Sequence, residues 1–260
     1  MQELIQDGDY VYIFMDAKRN WIRKVQAGDS FHSNKGLIPY DDIIGHPFGI
    51  RVVSHSGTSF QIHRPSPTDI QIAMGRNTQI IYPKDAGTIL VEAGIGAGSQ
   101  VVESGTGSGA MTGILARAVG SIGHVYTYEA REDMFLGAKK NLEKFGLIEN
   151  VTQYHQDIHE GIKERNVDAV VLDLATPWEL TEIAYASLKP SHYLASYSPT
   201  IEQVMKTCKA LSESGKWGMI KTLEVLQREI MVRENKTRPT TWMVGHTGYM
   251  TFARTMVVDE

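Results

Sequence analysis

The sequence predicts an α/β protein of 260 residues, in which a small N-terminal β-rich domain precedes a doubly wound, parallel sheet. Residues 1–65 contain short aromatic and β-branched runs separated by glycines, and no convincing helical period. From about residue 68, apolar strand patterns alternate with segments of helical periodicity. This alternation is typical of a parallel sheet whose ligands bind at the carboxyl ends of its strands.

The β-rich domain is predicted over residues 1–65. Residues 10–14 and 21–25 are rich in side chains that favour strands, and Gly28-Asp29 is a typical turn pair. Two prolines within residues 63–67 disfavour both a helix interior and a sheet interior. We therefore expect a linker over residues 66–78 and a second domain over residues 79–260.

Strands and helices are predicted to alternate in the second domain. Strands are expected at residues 101–104, 125–129, 151–154 and 167–174, and helices at 83–91, after 109 and around 134–145. Pro199 can occupy the first position of a further helix. That helix would turn five side chains toward the core: Ile201, Val204, Met205, Cys208 and Leu211.

A glycine-rich segment, residues 104–110, joins the first strand of this domain to a helix. Alternating glycines let backbone N–H groups approach a ligand closely, because no Cβ blocks the way and the helix offers free amides. Gly105, Gly107 and Ala110 also satisfy the dinucleotide-binding pattern, with Glu129 about 20 residues further on. The segment alone therefore leaves both NAD and S-adenosylmethionine open as cofactors.

Acidic residues stand at the ends of four predicted strands: Glu103, Glu129, Asp157 and Asp173. A carboxylate only accepts hydrogen bonds, so Glu129 suits a ribose diol and Asp157 suits the exocyclic amine of an adenine. Asp173 is followed by Pro177 and Trp178, and such a loop can grip the edge of a base beside a methyl donor. A dehydrogenase has no evident need for this loop.

Composition narrows the class of protein. Net charge is −4, hydrophobic residues make up 42% and charged residues 22%, which are ordinary globular values. The single cysteine, Cys208, excludes an internal disulfide and multi-cysteine metal sites, and no metal is expected. No basic, apolar leader and no long apolar run is present, so we expect a soluble, cytoplasmic protein. Residues 216–254 carry a local charge of +4, which suits phosphate binding.

Five segments together resemble the tRNA (adenine-N1)-methyltransferases of the archaeal and bacterial type. They are residues 79–86, 103–110, 173–178, 198–204 and 238–249. The resemblance implies a class I Rossmann-like methyltransferase sheet with a small N-terminal β-rich domain. It also implies a homotetramer that transfers a methyl group from S-adenosylmethionine to N1 of adenosine 58 in the T loop of tRNA. Some archaeal members also modify the neighbouring position, 57.

The resemblance also implies roles for individual residues. Asp173 would be the catalytic carboxylate and Tyr82 would position the adenine. The cofactor-binding residues would be Gln79, Ser104, Gly105, Thr106, Gly107, Ser108, Gly109, Ala110, Glu129, Asp157 and Asp173. The stretch Leu174-Ala175-Thr176 departs from the family, which often carries a proline and a second acid there.

Three alternatives remain open at this point. The chain could be a methyltransferase for a small molecule or a protein carboxylate, since such enzymes share a similar glycine loop. It could be a non-catalytic RNA-binding paralogue, although the glycines, Glu129 and Asp173 are all present. It could also be an NAD-dependent dehydrogenase.

Overall fold

The structure, a computed structural model, describes residues 3–74 and 79–257. The chain divides into two compact units, Met1–Arg76 and Asn77–Glu260. Within the described residues, the first unit contains the strands β1 Tyr10–Asp16, β2 Arg19–Lys24, β3 Ser30–Ser33, β4 Gly36–Pro39, β5 Ile50–Val53 and β6 Ser59–His63. It ends with the helix α1 Pro67–Met74.

Antiparallel pairing organises the first unit. Four strands form a sheet in the order β2-β1-β6-β5, and β3 pairs with β4 in a hairpin. Val11 and Ile13 alternate with more exposed residues along β1 and pack with Phe31, Phe60 and Ile62 in a continuous core. The predicted β-rich character of this part of the chain is therefore confirmed.

The segment expected to be a linker, residues 66–78, contains the helix α1. Pro67 occupies the first helical position. A backbone N–H at that position has no partner within the helix, so proline loses no hydrogen bond by lacking one. Ser66 Oγ accepts the N–H of Asp69 at 3.2 Å, and Asp69 Oδ2 accepts the N–H of Ser66 at 2.8 Å. This reciprocal cap starts a helix at the position where two prolines suggested a linker. Residues 75–78 of that segment lie outside the described part of the chain.

A seven-stranded sheet forms the centre of the second unit, in the order β12-β15-β11-β10-β7-β8-β9. The strands of this unit are β7 Gln100–Ser104, β8 His124–Glu129, β9 Val151–His155, β10 Val167–Leu172, β11 Leu188–Ser198, β12 Trp217–Leu223, β13 Ile230–Met231, β14 Arg238–Pro239 and β15 Tyr249–Thr255. Two of these strands, β13 and β14, have only two residues each and form a separate small hairpin.

We expected a parallel sheet, but the sheet of the second unit is not parallel throughout. Strand β15 enters between β11 and β12 and pairs antiparallel with both. It follows the β13–β14 hairpin rather than a helix, so no crossover connection turns it into the common direction. The remaining neighbours from β11 to β9 pair in parallel, as the alternation of strands and helices predicts.

Helices cover the sheet of the second unit. They are α2 Pro83–Glu92, α3 Ala110–Val119, α4 Glu132–Lys144, α5 Thr181–Ser187 and α6 Ile201–Glu213. The order of strands reverses beside β7, whose neighbours are β8 on one side and β10 on the other. Crevices for ligands form at such a switch point, at the carboxyl ends of the strands. None of the described helices is long and apolar enough to cross a membrane.

Helix α6 differs from its prediction in two respects. Thr200 is the N-cap and Ile201 the first helical residue, so Pro199 precedes the helix instead of opening it. Thr200 and Gln203 form a capping box, which fixes this start. Ile201 and Met205 are 49% and 66% exposed, while Val204, Thr207 and Leu211 form the buried stripe. Thr207 is tolerated in that stripe because its hydroxyl donates to the carbonyl of Gln203 at 2.8 Å.

Candidate active site

The glycine loop and Asp173 lie in direct backbone contact. Asp173 donates its N–H to Ser104 O at 2.9 Å, which continues the pairing of β7 and β10 beyond their ends. Gly105 has φ +87°, and a Cβ built there would lie 1.9 Å from the carbonyl oxygen of Asp173. A side chain at position 105 would therefore overlap the backbone that carries the acid. Glycine is therefore required at position 105, because the loop and the backbone of Asp173 approach each other so closely.

Glu129 joins the loop to the end of the next strand. Its Oε2 accepts the N–H of Gly107 at 2.9 Å, and its Oε1 accepts the N–H of Arg131 at 3.0 Å. Each carboxylate oxygen can accept two hydrogen bonds, so each of them can still accept one more. The carboxylate is thus held in one orientation while it stays able to bind hydroxyl groups.

Asp157 follows β9 and caps the short helical turn Ile158–Glu160. Its Oδ1 accepts the N–H of His159 at 2.9 Å and lies 2.7 Å from the ring Nδ1 of the same residue. These two hydrogen bonds, with the backbone one first, hold the pKa of Asp157 below its usual value. Because Oδ1 makes both contacts, Oδ2 faces no described protein donor and can accept an amine.

A cavity of about 210 Å³ opens between these carboxylates. It lies at the carboxyl ends of β7, β8, β9 and β10. The residues that line it are Ser104, Gly105, Tyr128, Glu129, Ala130, Gln156, Asp157, Ile158, His159, Leu174, Ala175 and Thr176. The acceptor oxygens of Glu129 and Asp157 therefore serve one concave site, as the positions of these acids along the chain predict.

Asp173 stands immediately after β10, beside the glycine loop. Burial raises the pKa of its carboxyl group to about 7. Among the described residues, no cationic side chain contributes to this shift, so a positively charged ligand would stabilise the carboxylate form of Asp173. A buried acid with a perturbed pKa in a crevice is typical of a functional residue.

Glu103, in contrast, is part of the interior. Only 1% of the residue is exposed, and its Oε2 accepts the hydroxyl of Thr112 at 2.6 Å. Burial raises its pKa to about 7, and the neighbouring carboxyl groups of Asp173 and Glu129 add to the effect. The strand-end position predicted a residue at the crevice, but β7 turns this side chain toward helix α3, where Thr112 lies.

Helix α6 holds the loop that follows Asp173. The side-chain amide of Gln203 donates to the carbonyl of Ala175 at 3.0 Å, and Ala175 lines the cavity. The ammonium group of Lys206 lies 4.5 Å from the ring centre of Trp178. Trp178 thus packs against α6 and anchors the loop.

Only some of the predicted cofactor residues line the cavity: Ser104, Gly105, Glu129 and Asp157.

The other residues of the glycine loop contact the protein. Thr106 turns inward to Thr127, and Gly109 packs closely on α4 near Ala138 and Leu142. Gly107 donates to Glu129, and Ala110 is the buried first residue of α3. These four shape the loop. Ser108 is buried, and its hydroxyl has no protein partner among the described residues.

Three predicted site residues outside the glycine loop do not line this cavity: Gln79, Tyr82 and Asp173, although Leu174, the residue after Asp173, does line it. Gln79 is exposed and precedes α2 without regular secondary structure. Tyr82 is the N-cap of α2, and about a third of it is exposed. The register of β10 and β11, which pairs Leu172 with Ser196, places Tyr197 beside Asp173, and the charges of Asp173 and Tyr82 both raise the pKa of Tyr197. The roles of Gln79 and Tyr82 stay predictions.

The sequence interpretation missed His159. Its ring bridges Asp157 and the carboxylate of Glu179, 3.4 Å from Nε2, and it lines the cavity. A histidine two residues after a strand-end acid was the available signal. The partner on the far side, Glu179, is 20 residues further along the chain and gives no local signal.

Two family models match the chain. The model described as the tRNA methyltransferase complex GCD14 subunit matches residues 60–238. The model described as TrmI-like N-terminal matches residues 4–52. Together they cover both units and include the glycine loop, Glu129, Asp157 and Asp173.

Individual proteins of the same kind are similar over nearly the whole length. The tRNA (adenine(57)-N(1)/adenine(58)-N(1))-methyltransferase TrmI of Methanocaldococcus jannaschii is 39% identical over 252 residues, covering 87% of this chain and 88% of the relative. The crystal structure of the tRNA (m1A58) methyltransferase TrmI from Aquifex aeolicus superposes with a TM-score of 0.84 at 30% identity, covering 98% of this chain and 100% of that one.

A third similar structure carries a different description. A SAM-dependent O-methyltransferase from Thermotoga maritima superposes with a TM-score of 0.91 at 35% identity, covering 98% of this chain and 96% of that one. The fold is therefore that of the class I methyltransferases, with the small β-rich part at the N-terminus. The two descriptions differ in the atom that receives the methyl group.

Proposed function

This chain belongs to the family of the GCD14 subunit and the TrmI tRNA (adenine-N1)-methyltransferases, and we propose that it methylates N1 of adenosine 58 in the T loop of tRNA. S-adenosylmethionine is the proposed methyl donor. The observation that carries the proposal is Asp173, an acid whose pKa is raised by burial and whose backbone contacts the glycine loop, between the cavity-lining residues Gly105 and Leu174.

The residues present fit this cofactor. The cavity of about 210 Å³ is smaller than the roughly 300–1,000 Å³ of whole ligand pockets, so it suits the adenosyl part of the molecule. Glu129 retains acceptors for the ribose hydroxyls, and Asp157 Oδ2 can accept the adenine amine. The buried Ser108 hydroxyl, on the glycine loop, has no protein partner among the described residues.

When bound, S-adenosylmethionine supplies an electrophilic methyl group on a positively charged sulfur. The N1 atom of adenine has a lone pair in the ring plane and no proton, so the protein does not need a general base. Methylation builds positive charge on the ring. The Asp173 carboxylate, accepting a hydrogen bond from the exocyclic amine of the target base, would stabilise this charge and orient the ring.

Tyr82 and Gln79 are proposed to position the target base near Asp173. Tyr82 lies beside the group of Tyr197 and Asp173 and keeps part of its surface exposed, which is compatible with stacking on a base. The base is buried in the folded T loop, so it must be flipped out, at a cost of about a few kcal/mol. Exposed basic residues of the second unit and Lys18 and Lys24 of the first would hold the tRNA backbone.

The activity is tested with unmodified tRNA and a labelled methyl donor, followed by nucleoside analysis. We expect N1-methyladenosine at position 58, and the same analysis shows whether position 57 is also modified. The variant Asp173→Ala should reduce turnover by about 10²–10³-fold, while cofactor affinity stays within a few-fold. Glu213→Ala, an exposed acid on α6, is the matched control. An O-methylated product, or normal turnover of Asp173→Ala, would contradict the proposal.

We also propose that the chain forms a homotetramer through the segment around the β13–β14 hairpin. Six apolar side chains are exposed there: Leu226, Ile230, Val232, Trp242, Met243 and Val244. Trp242 is 90% exposed, and clustered exposed apolar residues indicate an interaction surface. Light scattering should give the mass of four chains. Trp242→Ser should shift it to smaller species, and Ile122→Ser, an exposed apolar residue elsewhere, should not.

We also propose that the two units have different roles. Residues 79–260 are proposed as the S-adenosylmethionine-dependent methyltransferase domain, and the β-rich unit as a tRNA-binding part. A tRNA substrate also fits the expected cytoplasmic location.

A further inference from the structure

A buried charged cluster lies outside the cofactor cavity. Lys84 Nζ lies 2.6 Å from Asp85 Oδ1 and donates to Thr247 Oγ1 at 2.6 Å. The Thr247 hydroxyl donates to Asp85 Oδ2 at 2.6 Å. The Asp85 side chain is fully buried and that of Lys84 is 10% exposed. Both oxygens of the carboxylate are therefore bound, and the three side chains close a ring of contacts.

This cluster joins two distant segments of the second unit. Lys84 and Asp85 belong to the first turn of α2, directly after Tyr82, whose carbonyl accepts the N–H of Asp85 at 2.9 Å. Thr247 stands just before β15, 162 residues further along the chain. Removing one member of a buried, hydrogen-bonded ion pair leaves the other charge unpaired, which is strongly unfavourable. The cluster thus fixes the start of α2, including Tyr82, to the start of β15.

Tyr197 of β11 connects the cluster to the catalytic acid. A Cβ at Gly248 would lie 2.3 Å from the Tyr197 ring, so the residue after Thr247 packs directly on this tyrosine. Burial raises the pKa of Tyr197, and the negative charge of Asp85 raises it further. Thr247 lowers it, and Asp173 and Tyr82 raise it. The register of β10 and β11 pairs Leu172 with Ser196, so Tyr197 lies beside Asp173 on one side and packs on Gly248, next to the cluster, on the other.

We propose that Lys84, Asp85 and Thr247 are positioning residues for methyl transfer: they set the placement of Tyr82 and Tyr197 beside Asp173. This inference rests on the proposed function. None of the three lines the cofactor cavity, so their effect falls on the turnover of bound tRNA and not on cofactor affinity. Misplacement of a site by about 1 Å can reduce a rate by about 10²-fold.

The test compares three variants at two positions, Thr247, two residues before β15, and Thr251 within β15. Thr247→Val removes the hydroxyl and keeps the shape, and Thr247→Ser keeps the hydroxyl. Thr251→Val is the matched control, because Thr251 is equally buried and its hydroxyl lies 2.9 Å from that of Thr222. We expect kcat on tRNA to fall at least about 10-fold in Thr247→Val and to stay within about two-fold in the other two variants. Cofactor affinity, measured by calorimetry, should stay within about three-fold in all of them.

The inference is overturned if Thr247→Val loses no more kcat than Thr251→Val, or if Thr247→Ser loses as much. It is also overturned if cofactor affinity falls in parallel with kcat, which would indicate a general loss of structure. If Thr247→Val does not fold, Thr247→Cys replaces it, because a thiol is a poorer donor and should give an intermediate loss of kcat. A wild-type protein that does not methylate tRNA would refute the proposed function itself.

Discussion

Two carboxyl groups beside the glycine loop have a pKa that burial raises to about 7, but they lie in different surroundings. Asp173 stands at the crevice, where only burial raises its pKa to about 7. Glu103 lies in the interior and is hydrogen-bonded to Thr112. By linkage, the raised pKa of either group lowers the stability of the fold as pH rises, and Asp173 is expected to affect activity as well.

The pH dependence of activity follows from Asp173. The carboxylate form accepts the hydrogen bond from the target base, so kcat/KM for the cofactor, which reports the free enzyme, should rise with pH and level off above about 7. The positive charge of the bound donor lowers the pKa of a neighbouring acid. The plateau for tRNA at saturating cofactor should therefore begin at lower pH. Profiles that are flat between pH 5 and 8 would contradict this role.

Glu103 should make the protein less stable as pH rises. Its folded-state pKa of about 7 exceeds its ordinary 4.5, so the folded state binds the proton more tightly between these values. Stability contributed by the protonated form is fully present below about 4.5 and is lost by about 7, a change of about 3 kcal/mol at most. Urea unfolding at pH 5 and pH 8 measures this loss.

The variant Glu103→Gln isolates this effect, because the amide stays neutral and its oxygen can still accept the Thr112 hydroxyl. It should stabilise the protein relative to wild type more at pH 8 than at pH 5. An equal difference at both pH values would show that Glu103 does not titrate in this range.

At the residue level, the sequence predicted site residues that stand at strand ends. It did not predict contacts between residues that are far apart in the chain. Glu129 and Asp157 were predictable because each follows an apolar strand, and parallel strands bring such ends together. The Lys84–Asp85–Thr247 cluster was not, since its parts are 162 residues apart in the chain. The local pattern also could not show that Glu103 faces helix α3.

At the level of elements, the glycine loop is the most constrained turn. Gly105→Ala would place a methyl group 1.9 Å from Asp173 O at φ +87°, so the loop and the acid must separate. We expect loss of cofactor binding by calorimetry, with a lower unfolding temperature. Gly137→Ala on α4 is the control, because nothing lies within 4 Å of its Cβ. It should bind normally and gain about 0.5–1 kcal/mol of stability.

Proline predicted the start of α2 at Pro83 correctly, but it misled the interpretation at residues 65–67 and at Pro199. The capping pair Ser66 and Asp69 starts α1 inside the expected linker. The capping box of Thr200 and Gln203 moves the start of α6 past Pro199. In both cases a side chain that satisfies free N–H groups decided the start.

On the scale of the whole molecule, the charge of residues 216–254 should govern tRNA affinity. Lys216 is paired with Glu182 and Lys221 with Glu92, whereas Arg233 and Lys236 are exposed. We expect the double variant Arg233→Gln, Lys236→Gln to weaken tRNA binding and to reduce the slope of log affinity against log salt by about 2. Lys216→Gln, whose charge is already balanced, is the control. Salt-independent binding of the wild type would contradict the role of this segment.

The overall α/β class was predictable because periodicity reports each strand and helix separately. The antiparallel direction of β15 was not, since periodicity carries no information on which strands become neighbours. The direction follows from the connection through the β13–β14 hairpin, which only the structure shows.

The insertion of β15 between β11 and β12 has a consequence for how the protein is made. Among the described strands, β12 has no sheet neighbour other than β15. During translation, β12 therefore leaves the ribosome without a partner, and its pairing waits until residue 255 has emerged. The nascent chain carries an open edge on β11 throughout that interval, so chaperones have an unpaired edge to protect between the synthesis of β12 and that of β15.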